Sequence, residues 1–266
     1  MSGLAERGAA LLGRRLARAE PVGGGNLSSV IRILLDDGRR AIAKDGPAPL
    51  VEAAMLRAIH ASGAPAPDVL GADSATIVMA CLPEGGGDAD RDLGHVVSRL
   101  HAATGDRFGW ECDYALGEVA IENGWMTNWP AFWAERRLLC HCPHLDGLLA
   151  RRIETLAARL ADHLPAKPRP ALLHGDLWRG NVLTEGSRVS GLIDPACYYG
   201  HAEVDLAMLT LFGGPGPAFR EAYGPAEPGF AERVPIYQLW PALVHWRLFG
   251  SGYRGMVETR LAAAGA

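Results

Sequence analysis

Two rhythms of apolar and polar positions run along this chain, and they predict strands early and helices later. Over Leu4–Ala19, Ala and Leu interleave with Arg and Glu, which predicts an amphipathic first helix stopped by Pro21. Val30–Leu35 and Arg40–Lys44 are β-rich runs around the turn Asp36-Asp37-Gly38. A helix is expected over Leu50–Ala61, then a stiff connector, Gly63–Pro67, and strands at Val69–Gly71 and Ala75–Leu82. Pro83-Glu84-Gly85-Gly86-Gly87 is the clearest break. Beyond it, Leu93, Val96, Val97 and Leu100 form a helical stripe within Asp92–Ala103. Thr104–Asn128 reads as a long irregular segment, a length that usually signals function. Asn128 is placed to cap a helix over Trp129–His141, and Leu145–Leu164 reads as another. Val182–Leu183 and Val189–Ile193 flank Glu185-Gly186-Ser187 as a hairpin would, and a helix follows at Glu203–Phe212. Phe230–Phe249 is a long apolar helical segment, broken or bent at Pro235 and Pro241, with Tyr237, Trp240, Trp246 and Phe249 read as core. The fold class that results is α+β in two lobes: residues 1–84 with a small antiparallel sheet, and residues 85–266, mostly helical.

Composition narrows the class. With 266 residues, 48% of them hydrophobic, the chain can bury one large core or two modest ones. The net charge of −4 comes without any basic block, which argues against nucleic acid as a partner. No apolar run is long enough to span a bilayer, and residues 1–20 contain no secretory apolar core. Five cysteines, an odd count without framework spacing, suit a reducing cytoplasm.

The chemistry concentrates in Leu172–Ala196, which holds His174, Asp176, Asn181 and Asp194 in order. His-Gly-Asp followed after four residues by Asn is the spacing of a kinase catalytic loop. There an Asp receives the acceptor hydroxyl's proton and an Asn holds Mg²⁺. Asp194 ends the second hairpin strand, the seat of a second metal-binding Asp; the triplet here is Asp194-Pro195-Ala196. A lone Asp in a loop usually caps a helix, but four such residues across a predicted hairpin rarely coincide. Gly23, Gly24, Gly25, Asn26 and Ser28 form a flexible loop between strands that can close on phosphates, although many Gly runs are plain turns. Lys44 and Glu52 stand where the kinase template pairs a strand lysine with a helix glutamate; the alternative is two solvated side chains. Val78–Leu82 would be the hinge, with backbone of Ala80–Leu82 holding an adenine. Cys140-His141-Cys142-Pro143-His144 matches no common zinc spacing and reads better as a helix end. Asp205 suits a helix N-terminus and could brace the catalytic loop through backbone N–H groups.

Taken with Leu172–Asn181 (LLHGDLWRGN), five further segments carry a resemblance: Ile193–Met208 (IDPACYYGHAEVDLAM), Leu211–Gly214 (LFGG), Tyr237–Leu239 (YQL), His245–Gly250 (HWRLFG) and Phe108–Trp110 (FGW). On these the chain resembles the fructosamine kinase (ketosamine 3-kinase) family, within the kinase-like fold shared with aminoglycoside phosphotransferases. The resemblance implies a two-lobed protein-kinase-like fold with ATP and Mg²⁺ as cofactors. It implies phosphorylation of the sugar 3-hydroxyl of a ketosamine, on a small glycated amine or a glycated protein, a deglycation repair. By motif, Asp176 would be the base, Asn181 and Asp194 the Mg²⁺ ligands, and Lys44 the phosphate-pairing lysine. Trp178 would wall the sugar pocket, and Tyr198, Tyr199 and His201 would line it. A monomer or weak dimer is expected. The sequence departs from the family at Ala80, where an acidic residue is usual, at Ala120-Ile121-Glu122-Asn123 and at Pro241. The competing readings are a kinase for an aminoglycoside, choline-like or plain sugar acceptor, and a nucleotide-binding pseudokinase.

Overall fold

The computed structural model describes residues 2–23 and 28–266. The chain opens with helix α1 (Ser2–Leu11) and a five-stranded antiparallel sheet: β1 (Leu16–Pro21), β2 (Val30–Leu35), β3 (Arg40–Lys44), β4 (Val69–Ala72) and β5 (Ile77–Ala80), in the order β1-β2-β3-β5-β4. Helix α2 (Pro49–Ala61) connects β3 to β4. The first helix stops well short of Ala19. Gly13, at φ 65°, turns the chain out, and the Arg14 N–H closes the end on the Ala9 carbonyl at 3.0 Å. Residues 16–21 then pair with β2, although Ala, Arg and Leu favour a helix. The open edge of β2 outweighs local propensity, and Pro21, lacking an N–H, is tolerated because β1 is an edge strand. Leu4, Ala5 and Ala9 of α1 pack on Ile31, Ile33, Ala41 and Val78. A side chain at Gly8 would press on Ala43, so the helix lies directly against the sheet.

Helix α3 (Asp90–Ala102) follows the break at Pro83–Gly87, which is itself docked on the later hairpin: the Gly85 and Gly86 N–H groups both donate to the Thr184 carbonyl at 3.0 Å. The segment after α3 is not irregular throughout. It folds β6 (Tyr114–Leu116) against β7 (Val119–Ile121). Asn128 caps α4 (Trp129–Trp133) by accepting from the Ala131 N–H at 2.9 Å. The expected long helix changes pitch there, passing through a π-turn at Ala134–Leu138 and a 3₁₀ segment at Leu139–His144 that contains Pro143. Helices α5 (Gly147–Ala158), capped by Asp146, and α6 (Leu160–His163) lead to β8 (Ala171–Leu173). The hairpin β9 (Val182–Glu185) and β10 (Arg188–Leu192) forms about Gly186, at φ 59°. β11 (Tyr198–Gly200) pairs with β8: Tyr198 lies opposite Leu173. The chain ends with α7 (Glu203–Leu209), α8 (Pro217–Tyr223), α9 (Phe230–Phe249) and α10 (Arg254–Ala263). Helix α9 continues through both prolines. One core runs from Met55, Leu56 and Ile59 through Leu93 and Val97 to Trp129, Trp133, Tyr237 and Leu243. The fold is α+β, an antiparallel sheet followed by a mostly helical region. No helix among the described residues is long and apolar enough to cross a membrane.

Candidate active site

The loop after β8 is built on buried hydrogen bonds. Asp205, fully buried in the first turn of α7, accepts from the backbone N–H groups of His174 (2.7 Å) and Gly175 (3.0 Å) and bonds His101 Nε2 at 3.1 Å. Gly175 has φ 82°, and a side chain there would overlap the Ala196 carbonyl, so glycine is required. His174 Nε2 donates to the Ile193 carbonyl at 2.9 Å while its Nδ1 accepts from the Asp176 N–H at 3.3 Å. The imidazole therefore ties the strand end before Asp194 to the turn bearing Asp176. Burial lowers its pKa and keeps it neutral.

Five sequence-predicted residues meet. Lys44 Nζ donates to Glu52 Oε1 at 2.7 Å and to Asp194 Oδ1 at 2.8 Å. Burial alone would pull the ammonium's pKa down, but the two carboxylates outweigh it and raise the pKa. Asn181 Nδ2 donates to Asp176 at both the backbone carbonyl (2.8 Å) and Oδ2 (3.0 Å). Burial raises the Asp176 carboxyl to about 7, opposed by Asn181 and reinforced by Asp194. Among the described residues, Asp194 is the one non-glycine with positive φ, 54°, a strained conformation of the kind that collects at functional sites. The oxygens left over are hard donors. With Nδ2 engaged, the Asn181 amide offers its Oδ1, and Asp194 keeps Oδ2. Two such oxygens suit Mg²⁺, which is held by few protein groups and completed by phosphates and water.

These groups open into a cleft of about 420 Å³. Ser28 and Val30 line its sheet side, and Lys44, Asp176, Asn181 and Asp194 its charged end. Trp178 lines it as expected, edge-on to Phe212 at 6.1 Å between centroids. Sequence reasoning missed Tyr114, Phe212, His245 and Tyr253 as lining residues, and took Trp240 and Phe249 for core. The length of Thr104–Asn128 was the available signal for Tyr114, whose hydroxyl donates to Glu52 Oε2 at 3.3 Å.

Other expectations are corrected. Tyr198, Tyr199 and His201 do not line the cleft. Tyr198 is buried between Phe132 and the Arg137 guanidinium, which sits 4.2 Å from its ring. Tyr199 stacks on Trp110 and Trp125. His201 is bonded through Nδ1 to the Tyr237 hydroxyl at 2.7 Å. In the paired β11 Tyr198 turns into the core behind the loop, Tyr199 on the opposite face stays part-buried, and His201 just beyond the strand is buried. Ala80 and Leu82 are also absent from the cleft lining: the Ala80 N–H is taken by the Asp68 carbonyl (2.9 Å), and Leu82 packs on Gly191. Gly24, Gly25 and Asn26 lie outside the described residues; Gly23 borders open space. In the Cys140–His144 segment, Cys140 Sγ donates to the Arg136 carbonyl and Cys142 Sγ to the Ala150 carbonyl, away from any common point. His201, Glu203 and Glu227 do converge, but both Glu203 oxygens are held by Arg233 at 2.6 Å.

The chain matches the fructosamine kinase family over residues 16–264. A relative in Synechocystis, provisionally named a ketoamine kinase, is 39% identical over 70% of this chain and 66% of its own. The ketosamine-3-kinase of Mus musculus is 40% identical over 56% of this chain and 51% of its own, so the chain spans between half and two thirds of these relatives' lengths. A solved structure from Thermobifida fusca, carrying the provisional name fructosamine-3-kinase, superposes with a TM-score of 0.90 at 33% identity, covering 99% of each chain. Fold likeness alone extends to an aminoglycoside phosphotransferase, at 16% identity and a TM-score of 0.63. A protein-kinase-like scaffold with Lys44, Glu52, Asp176, Asn181 and Asp194 gathered at one cleft, matched over nearly its whole length, belongs to the fructosamine kinase family.

Proposed function

We propose that this chain transfers the γ-phosphoryl group of ATP to a sugar hydroxyl, the 3-hydroxyl, of a ketosamine-type glycated amine. The observation that carries the reading is the convergence of Lys44, paired to Glu52 and Asp194, with Asp176 and Asn181 in one cleft. The names of the mouse ketosamine-3-kinase and of the protein-ribulosamine 3-kinase of Arabidopsis thaliana support the choice of hydroxyl and substrate class. Division of the chain into nucleotide and acceptor lobes near residue 84 belongs to the same proposal. Five unpaired cysteines support a cytoplasmic setting.

Each residue then has a task. Lys44, oriented by Glu52, pairs with the nucleotide phosphates. Asn181 and Asp194 would hold Mg²⁺, which would supply neutralisation of phosphate charge. Asp176 takes the proton of the acceptor hydroxyl while that oxygen bonds the γ-phosphorus. The bond from this phosphorus to the β,γ-bridging oxygen breaks, and ADP leaves with the electron pair. Asn181 keeps the Asp176 carboxylate aimed through its amide.

An aminoglycoside acceptor, a polycation, would need carboxylates beyond the catalytic ones. The described lining has only Asp176 and Asp194, which favours a glycated amine. The test is to incubate the protein with Mg-ATP and 1-deoxyfructosyl and 1-deoxyribulosyl amines, follow ADP release and locate the phosphate by NMR. Transfer to the 3-oxygen is expected. Nucleotide binding without transfer to any acceptor would favour the pseudokinase instead.

A further inference from the structure

The cleft has a second end that the transfer chemistry does not use. Phe212 follows α7, Trp240 and Phe249 lie on α9, and Tyr253 lies just beyond it. The Phe212, Phe249 and Tyr253 rings form a connected array through His245: Phe212 to His245 at 5.4 Å, His245 to Phe249 at 5.6 Å and His245 to Tyr253 at 5.1 Å between centroids. Phe212 and Phe249 are 48% and 44% exposed, unusual for large apolar side chains. Every charged side chain in the lining, Lys44, Asp176 and Asp194, belongs to the transfer end. Gly24, Gly25, Asn26 and Leu27, outside the described residues, carry no charge either. Among the described lining residues, the aromatic end therefore offers no carboxylate to a second ammonium and no cation to a carboxylate. A second charge held against these rings would meet no charged partner, whereas an apolar group would cover the exposed Phe212 and Phe249 faces.

One polar atom remains. His245 Nδ1 donates to the Pro241 carbonyl at 2.8 Å, a bond that in the uncharged tautomer puts the lone pair on Nε2, which has no partner among the described residues. A ketosamine brings one cationic centre, the secondary amine that joins sugar to aglycone. Aromatic faces and a single imidazole lone pair can receive that one centre, and beyond it they offer only apolar surface.

We infer that the amine half of the acceptor occupies this aromatic end, and that the preferred acceptor is a ketose-substituted amine bearing an aryl or alkyl group without a second charge. This rests on the glycated-amine reading above and names the amine class within it. Phe212 and Phe249 set the preference, and His245 receives the linking amine.

The experiment holds the sugar constant as 1-deoxyfructosyl and varies the amine: benzylamine, hexylamine, putrescine with its second ammonium, and β-alanine with its carboxylate. The benzyl and hexyl compounds should exceed the two charged ones in kcat/KM by about tenfold or more, since apolar pocket contacts discriminate on that scale. The difference should lie in KM. Phe212→Ser and Phe249→Ser should each narrow the gap. Calorimetric titration of the same compounds, with Mg²⁺ and a non-hydrolysable ATP analogue present, gives the ranking independently of turnover. Equal affinity across the four amines, or preference for putrescine or β-alanine, overturns the inference. If no compound is phosphorylated but calorimetry still ranks the apolar amines first, the transfer reading fails and the inference stands.

Discussion

At one end of the cleft every charged group is held by protein; at the other, aromatic rings hold mostly one another. Lys44 spans two carboxylates, Asp176 is tied to Asn181, and the loop beneath them hangs on one buried carboxylate, Asp205. Phe212, Phe249 and Tyr253 meet their neighbours at centroid distances of 5–6 Å and face solvent on one side. The charged end thus has one allowed arrangement, because each buried polar atom lost leaves another unpaired. The aromatic end can be altered ring by ring with graded effect. Chemistry demands the first kind of construction; selection among acceptors needs only the second.

The largest expected effect is at the base. Asp176→Asn preserves shape and the stem of the loop but removes the proton acceptor, and turnover should fall by on the order of 10²–10⁴ or more. Thermal melting and nucleotide binding should stay close to the parent, measured by fluorimetry and calorimetry. Turnover near the parental rate would remove Asp176 from the chemistry. Next in size is Asp205→Ala, which strands the His174 and Gly175 N–H groups and His101 Nε2 together. Losing one partner of such a buried set costs about 3 kcal/mol or more, readable as a lower urea midpoint. A midpoint within error of the parent would show that the brace is dispensable.

What is legible in the sequence follows the same divide. His174, Asp176, Asn181 and Asp194 lie within one loop and hairpin, so spacing alone predicts that they meet. Lys44 and Glu52 follow because a strand and the next helix fix their relation. The aromatic end is assembled from α7, α9 and the turn after α9, and apolar periodicity does not distinguish a face turned to core from one turned to a cleft. Tyr237 and Trp240 look alike in sequence, yet Tyr237 joins Trp129 and His201 in the core while Trp240 reaches the cleft wall. Tyr198–Gly200 was illegible because its partner strand β8 is three residues long and lies across the catalytic turn. β1 was hidden by helix-forming residues whose pairing partner comes later in the chain.

A smaller effect, confined to the acceptor side, is expected from Gly180→Ala. A methyl there would collide with the Trp178 indole, which lies directly over the glycine. Gly180 has no positive φ, so the substitution acts by displacing the ring rather than by straining the backbone. The acceptor KM should rise by about tenfold, on the scale of a lost aromatic contact, while the KM for ATP and the melting temperature hold. A parallel rise in the KM for ATP would mean that the two ends are not separable at Trp178.

The mildest substitution asks whether the two ends communicate. Tyr114 comes from the β6–β7 hairpin and lines the cleft, yet its hydroxyl donates to Glu52, 62 positions earlier, on the oxygen that Lys44 leaves free. Burial and the nearby Glu52 carboxylate raise its pKa, so the phenol stays a donor. Tyr114→Phe keeps the ring and deletes this one bond, worth about 0.5–1.5 kcal/mol. If the hydroxyl steadies the Glu52–Lys44 pair, the KM for ATP should rise by about two- to tenfold, with a smaller change in the acceptor KM. Saturating acceptor should also tighten nucleotide binding in the parent and not in the variant, because linkage between sites is reciprocal. An unchanged KM for ATP would reduce Tyr114 to a packing residue, leaving the charged and aromatic ends joined only by the substrate that lies across both.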